Sequence, residues 1–334
     1  MTQGNPDYWI TGGSGFIGTR LIKTLLEQGL MVRNIDKNTS TSFPEITVIQ
    51  DIRDPSGLKN RMTSGDVVVH LAAEHRDDVT PTSLYYDVNV TGTRNVLEAM
   101  EAAGINSIIF TSTVAVYGLN KIDPAETSPT DPFNHYGRSK LQAEELIREW
   151  QARDPARCAI ILRPCVIFGE GNRGNVYNLL RQISSGKFVM IGNGKNTKSM
   201  AYVGNIAAFI HFLSGHLEAG SRIFNYTDLP DLSTNELIVM VRNEFKLKNK
   251  PLRLPYFAGM AAGYLLDFAS FLLRKKLNIS AVRIRKFCAT TRFNSQKAHD
   301  SGFVAPYPME EALHTTIRHE FTLSPSLGKL NADI

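Results

Sequence analysis

The segment Thr11-Gly12-Gly13-Ser14-Gly15-Phe16-Ile17-Gly18 constrains the fold more than any other stretch of the 334-residue chain. It follows the apolar run Tyr8-Trp9-Ile10 and leads into Ile17, Leu21, Ile22, Leu25 and Leu26, which recur at helical spacing. Glycines between a strand and a helix allow a tight turn and let backbone approach a pyrophosphate closely. They also leave unpaired N–H groups at the helix N-terminus for an anion. Asp36 closes the second apolar run 18 residues beyond Gly18. A carboxylate there accepts hydrogen bonds from adenosine ribose hydroxyls and repels a 2′-phosphate, so the pattern predicts NAD over NADP. Lys37 next door tempers that preference. The alternative is a structural glycine turn in a nucleotide-free sheet, which the strand–loop–helix context disfavours.

The apolar runs Met31–Ile35, Ile46–Ile49, Val67–Leu71, Ser107–Phe110 and Ala159–Leu162 read as further strands. A helix over Asn89–Ala102 and another from Ser139 alternate with them, which implies βαβ units and a parallel sheet. In the second helix Leu141, Leu146, Ile147 and Trp150 mark the apolar face, and Glu144, Glu145, Arg148 and Glu149 the other. After Pro164 the pattern loosens, with Gly- and Asn-rich loops at 169–175 and 192–196, before Arg222–Tyr226 rejoins the sheet. The expected division is a nucleotide-binding domain over 1–165, with 197–228 returning to it, and a second domain from 166–196 and 229–325.

Cys158, Cys165 and Cys288 are odd in number and unclustered, which speaks for a reducing cytoplasmic compartment and against zinc spacing; no metal is expected. The N-terminus lacks the basic and apolar regions of a signal peptide. A net charge of +5 fits anionic partners, or simply a solvated basic surface.

Tyr136 and Lys140 are four residues apart at a helix start, so both side chains emerge on one face. A nearby ammonium favours the phenolate and lowers a tyrosine pKa from about 10, giving a base for a hydroxyl proton. Phe110-Thr111-Ser112-Thr113 ends a strand upstream, and alternation puts Thr111 and Thr113 on one face. Thr113 is the third candidate, with Ser112 the fallback.

Together TGGSGFIG, Asp51-Ile52, HLAA at 70–73, DVNVTGT at 87–93, TSTVAVYG at 111–118, YGRSK at 136–140 and RPCVIFG at 163–169 resemble the extended short-chain dehydrogenase/reductases. The resemblance implies a Rossmann-like, doubly wound α/β sheet with a smaller C-terminal substrate-binding domain. It implies that Gly12, Gly15 and Gly18, with Phe16 and Ile17 between them, meet the pyrophosphate, that Asp36 holds the ribose, and that Asp51 and Ile52 meet the adenine. Leu71, Ala72 and Ala73 would line the cofactor, Tyr136 and Lys140 would meet its nicotinamide half, and Pro164 would lie near the nicotinamide. Asn89 would be structural support. Family dehydratases carry an Asp-Glu pair where this chain has Val114 and Ala115, which leaves a 4-epimerase or a 4-keto reductase.

AAEHRDDV (72–79), SLYYDVNVTGTRNVL (83–97), GNRGNVYNLL (171–180), KSMAYVGNI (198–206) and RIRKFCATT (283–291) are similar to the bacterial undecaprenyl-diphosphate N-acetylglucosamine 4-epimerases. Those enzymes make lipid-linked GalNAc for surface polysaccharide, including O-antigen. The resemblance implies a lipid-diphosphate substrate, a homodimer, and a peripheral place at the cytoplasmic face of the inner membrane. Lys198-Ser199 replaces the Arg-Asp usual in UDP-hexose epimerases, and lysine is no substitute for a bidentate arginine. His75, Arg76, Arg173, Asn175 and Lys198 are the substrate-binding candidates, with Thr113; surface loops and solvated charges are the competing readings. The basic run Arg283, Arg285 and Lys286 is a further phosphate candidate.

Tyr256–Leu273 carries one charge, Asp267, in 18 residues and is followed by Arg274-Lys275-Lys276. As a helix it sets Phe257, Met260, Tyr264, Leu265, Phe268, Phe271 and Leu272 on one stripe, opposite Gly263, Asp267 and Ser270. It reads either as an interfacial membrane helix or as a helix buried in the small domain or in a dimer interface. A soluble UDP-hexose 4-epimerase or 4-keto reductase, and a non-catalytic NAD-binding protein, remain as alternatives.

Overall fold

Short branched apolar runs, each followed by a helix, bury both faces of a parallel sheet, and this chain uses them so. A computed structural model describes residues 7–76, 79–248, 251–273 and 280–322. The chain runs β1 (Asp7–Thr11), α1 (Phe16–Glu27), β2 (Met31–Asp36), β3 (Thr47–Ile49), α2 (Pro55–Arg61) and β4 (Val67–His70). Then come α3 (Ser83–Tyr86), α4 (Gly92–Ala103), β5 (Ser107–Thr111), α5 (His135–Ala152), β6 (Cys158–Pro164) and β7 (Val166–Phe168). They are followed by α6 (Asn175–Ser184), β8 (Val189–Ile191), β9 (Thr197–Tyr202), α7 (Val203–Ser214), β10 (Gly220–Tyr226) and β11 (Asp228–Ser233). The chain continues as α8 (Thr234–Glu244), β12 (Leu252–Leu254), α9 (Tyr256–Leu273), α10 (Ala281–Cys288), α11 (Gln296–His299) and α12 (Met309–Ile317).

Two compact units result. The first holds the described residues up to Ile167, then Ala201–Thr227 and Phe293–Tyr307. Its seven strands are ordered β10-β6-β5-β4-β1-β2-β3, so the order reverses between β1 and β4. Ligands of doubly wound sheets bind at the carboxyl edge beside such a reversal. Leu21, Leu25, Ile206 and Phe209 of α1 and α7 cover one face. Val96 and Met100 of α4 and Ile147 and Trp150 of α5 cover the other.

The second unit holds Phe168–Met200, Asp228–Arg292 and the described residues from Pro308 onward. β8 pairs in parallel with β12, and β9 runs antiparallel to β11. Ser233 and Glu236 form a reciprocal capping box that starts α8.

Three expectations need correction. Residues 293–307 were expected in the second domain but belong to the first unit. Asn225 Nδ2 donates to the Asn294 carbonyl, and Asn205 Nδ2 to that of Tyr307. The helix expected to begin at Asn89 is helical from Ser83, passing through a π-turn at Asp87–Thr91. Glu144, expected on the charged outer face of α5, is fully buried, because it pairs with a buried arginine. The inner stripe of α5 is accordingly Lys140, Ala143, Glu144, Ile147 and Trp150 rather than Leu141 and Leu146.

Candidate active site

The loop between β1 and α1 lies at the strand reversal. Gly12 has φ +75°, and a Cβ on it would stand 2.6 Å from the Ala72 nitrogen, in the segment after β4. A Cβ on Gly18 would stand 2.4 Å from the Gly13 Cα. Side chains are excluded at both places, so the turn stays bare and the helix sits close to it. Gly15 is the N-cap of α1; no side chain caps that end and no acidic residue occupies its first turn. The helix start is therefore open to an anion. Asp36, at the end of β2, accepts from the backbone N–H groups of Ser14 and Asn38. These residues fit a dinucleotide: a bare turn, an uncapped helix start and a carboxylate at the next strand end. Leu71 donates its N–H to the Thr11 carbonyl, which brings Leu71, Ala72 and Ala73 to the same edge.

Asp51 and Ile52 follow β3. The Asp51 carboxylate is gripped by Arg53 at 2.6 Å, which holds its pKa below the usual range. Ile52 is buried, and its carbonyl accepts from Asn95 Nδ2. Asn89 braces the edge: its amide bonds the backbone N–H and C=O of Glu74 and donates to Ser139 Oγ. His70 is buried, bonding Thr11 and Thr93 through its two nitrogens, and burial lowers its pKa to about 3. It is a neutral core residue.

Asn134 caps α5 by accepting from the Gly137 N–H, so Tyr136 and Lys140 sit in its first two turns. Tyr136 is half-buried, with its ring 6.5 Å from that of Tyr85. Lys140 is 1% exposed, and its Nζ lies 3.9 Å from the centre of the Phe110 ring. Burial pulls its pKa down to about 7, against the attraction of Glu144. Thr113, just past β5, is half-buried and accepts the Ala115 N–H. Ser112 is committed elsewhere: buried, it donates to Glu144 at 2.5 Å. Of the two hydroxyls the sequence left open, Ser112 is thus tied to a buried carboxylate and Thr113 is not.

Sequence reasoning missed the network behind this pair. Arg163 donates to both Glu144 oxygens, at 2.9 and 2.6 Å, and to the Tyr117 hydroxyl at 2.8 Å. Tyr117 in turn donates to Asn225. Burial opposes the Arg163 charge, but Glu144 overrides it and raises the pKa. The network ties α5 to the ends of β5, β6 and β10. Its signals were an Arg directly before Pro164 and a Glu four residues after Lys140. Pro164 ends β6 in register with Tyr226.

Of the substrate candidates, His75 and Arg76 lie on the segment after β4 and are exposed. Arg76 forks onto Glu74 at 2.9 and 3.0 Å. Arg173, Asn175 and Lys198 belong to the second unit. Arg173 is exposed, with Nε 4.0 Å from Glu320. Asn175 is the exposed first residue of α6. The ammonium of Lys198 donates to the Lys286 carbonyl and Thr291 Oγ1, both at 2.9 Å. Two of its three donors thus hold β9 to the chain around α10.

A sequence model of the NAD dependent epimerase/dehydratase family matches residues 8–226. An Escherichia coli O157:H7 protein named N-acetyl-alpha-D-glucosaminyl-diphospho-ditrans,octacis-undecaprenol 4-epimerase is 54% identical over 95% of this chain and 96% of its own length. A UDP-glucose 4-epimerase of Vibrio cholerae is 29% identical over 69% of this chain and 73% of its own. The crystal structure of UDP-N-acetylglucosamine 4-epimerase from Bacillus cereus superposes with a TM-score of 0.74 at 21% identity, covering 95% of this chain and 97% of that one.

Proposed function

Because the chain belongs to the NAD-dependent epimerase/dehydratase family, we propose that it inverts C4 of N-acetylglucosamine carried on undecaprenyl diphosphate. The product is N-acetylgalactosamine, formed through a transient 4-keto sugar. The observation that carries this reading is the 54% identity over 95% of the chain to the Escherichia coli relative of that name. The Vibrio cholerae relative, named for a UDP-sugar, reaches 29% over 69%.

NAD, held by the glycine turn, the start of α1 and Asp36, would supply the acceptor and donor of the C4 hydrogen. Tyr136 takes the proton of the C4 hydroxyl and holds it while C4 is a carbonyl. Lys140, one turn further along α5, supplies the positive charge that favours the phenolate. Thr113 offers a hydroxyl to orient the reacting oxygen. Once the sugar has turned over, Tyr136 returns the proton to the oxygen on the new face. Val114 and Ala115 carry no acid or base to expel water, which supports epimerisation over dehydration. The bare turn at Gly12 and the uncapped start of α1 support a cofactor held by its pyrophosphate.

A homodimer is part of this proposal. The α4 and α5 surface offers the half-buried Leu146 flanked by Arg94, Glu98, Glu149 and Arg153, a mixed-charge patch able to pair with its own copy.

The deciding assay offers the purified enzyme UDP-GlcNAc or undecaprenyl-diphosphate-GlcNAc, with no added NAD. Epimerisation on the lipid alone is expected. Turnover mainly on UDP-GlcNAc overturns the carrier and leaves the epimerase chemistry standing. Net consumption of NADH overturns the epimerase in favour of a reductase.

A further inference from the structure

Helix α9 is built inside out. Its inward residues are small or polar: a Cβ on Gly259 would stand 2.4 Å from Ile191 Cγ2, and one on Gly263 2.8 Å from the Ala281 Cα. Asp267 Oδ2 accepts the Ala281 N–H at 3.0 Å, at the start of α10. The bulky residues face solvent: Phe257 is 75% exposed, Leu265 70%, Phe268 61% and Phe271 78%. Of the expected stripe only Met260 is buried, with Ala281 and Ile284. A core helix would show the reverse, so the core reading of this segment is overturned. The exposed large side chains extend over the whole length of α9, and such a patch marks a binding surface.

We propose that this face of α9 lies in the surface of an anionic phospholipid bilayer, with α10 alongside it. Charge selects this occupant. Arg283, Arg285 and Lys286 are exposed on α10, and Arg285 Nη2 donates to the Tyr264 hydroxyl at 3.2 Å, so cationic groups border the apolar stripe. In sequence Arg274-Lys275-Lys276 follows α9 directly; those residues lie outside the described ones. An apolar face edged by arginine and lysine, with tyrosine hydroxyls near the polar boundary, has the composition of an interfacial helix. Spanning is excluded by the inner face. Gly259, Gly263 and Asp267 lock α9 to β8 and α10 of its own unit, and 18 residues reach only about 27 Å with a carboxylate inside. The choice of a bilayer rests also on the lipid-linked substrate, since an enzyme lying on the membrane meets the sugar where its carrier holds it.

The test is flotation of the full chain with phosphatidylcholine vesicles containing 0 or about 30% phosphatidylglycerol, a typical anionic fraction. Binding to the anionic vesicles is expected, and replacing Phe257, Leu265 and Phe268 together with serine is expected to weaken it at least about 30-fold. Arg283→Glu with Arg285→Glu should weaken binding at low salt and less at high salt. The serine variant should turn over a short-chain, water-soluble diphosphate-GlcNAc at the native rate, because these side chains lie outside the candidate site. A native chain that fails to float overturns the docking, even if it epimerises the lipid-linked sugar. Flotation unaltered by the serine changes, with a dimer lost instead, assigns the face to a second copy and overturns it too. Flotation lost with the serine changes sustains the docking, whatever substrate the first assay selects.

Discussion

Replacing Glu144 with glutamine isolates the buried ion pair that anchors the candidate catalytic helix. The Glu144 side chain is 0% exposed and that of Arg163 2%, so no water screens the charge left behind. Glutamine keeps the shape and still accepts from Ser112, but the guanidinium loses its counter-charge. Removing one partner of such a pair costs about 3–5 kcal/mol. At roughly 2–4 °C per kcal/mol for a folding unit of 150–250 residues, the size range of the first unit, which holds the pair, the melting temperature of that unit should fall by about 6–20 °C. Converting the pair together, Glu144→Gln with Arg163→Met, removes the stranded charge, and the double variant should recover at least half of the loss. Urea unfolding with calorimetry on the three variants measures this. A Glu144→Gln cost below about 1 kcal/mol, the scale of one ordinary hydrogen bond, refutes the reasoning. So does a double variant as unstable as the sum of its singles.

Tyr136→Phe should lower turnover by about 10²–10⁴-fold while NAD still co-purifies; retained activity would remove this tyrosine as the base. Lys140 titrates near pH 7 when folded and near 10.5 when unfolded. Between those values the unfolded chain holds the extra proton, so the cofactor-free protein should gain stability as pH rises from about 7 toward 10. Lys140→Met should flatten that slope, and urea midpoints at four pH values that move in parallel for both proteins would sink the account. Gly12→Ala forces a Cβ to 2.6 Å from backbone at positive φ, and should weaken NAD binding by isothermal titration; unchanged affinity contradicts the tight turn. Thr113→Val should lower kcat with little loss of stability, whereas Ser112→Ala should chiefly lower the melting temperature, and the opposite pattern would exchange their roles.

Local periodicity and ordered motifs suffice for much of this protein. The glycine turn, the strand ends at Asp36 and His70 and the Tyr136–Lys140 spacing depend on neighbours along the chain, so they could be read directly. The seven-strand sheet follows from the alternation of strands and helices. What depends on distant partners could not be read. Glu144 looks like one more surface acid until Arg163 arrives from β6, and Ser112 and Thr113 look equivalent until Glu144 claims one of them. Nothing near Lys198 in the sequence announces Thr291 and the Lys286 carbonyl, which take two of its three donors. The apolar stripe of Tyr256–Leu273 is plain in the sequence, but its direction is not. Burying that stripe or turning it to solvent satisfies the same helical period. Only the close packing of Gly259, Gly263 and Asp267 against β8 and α10 decided that the large side chains face outward.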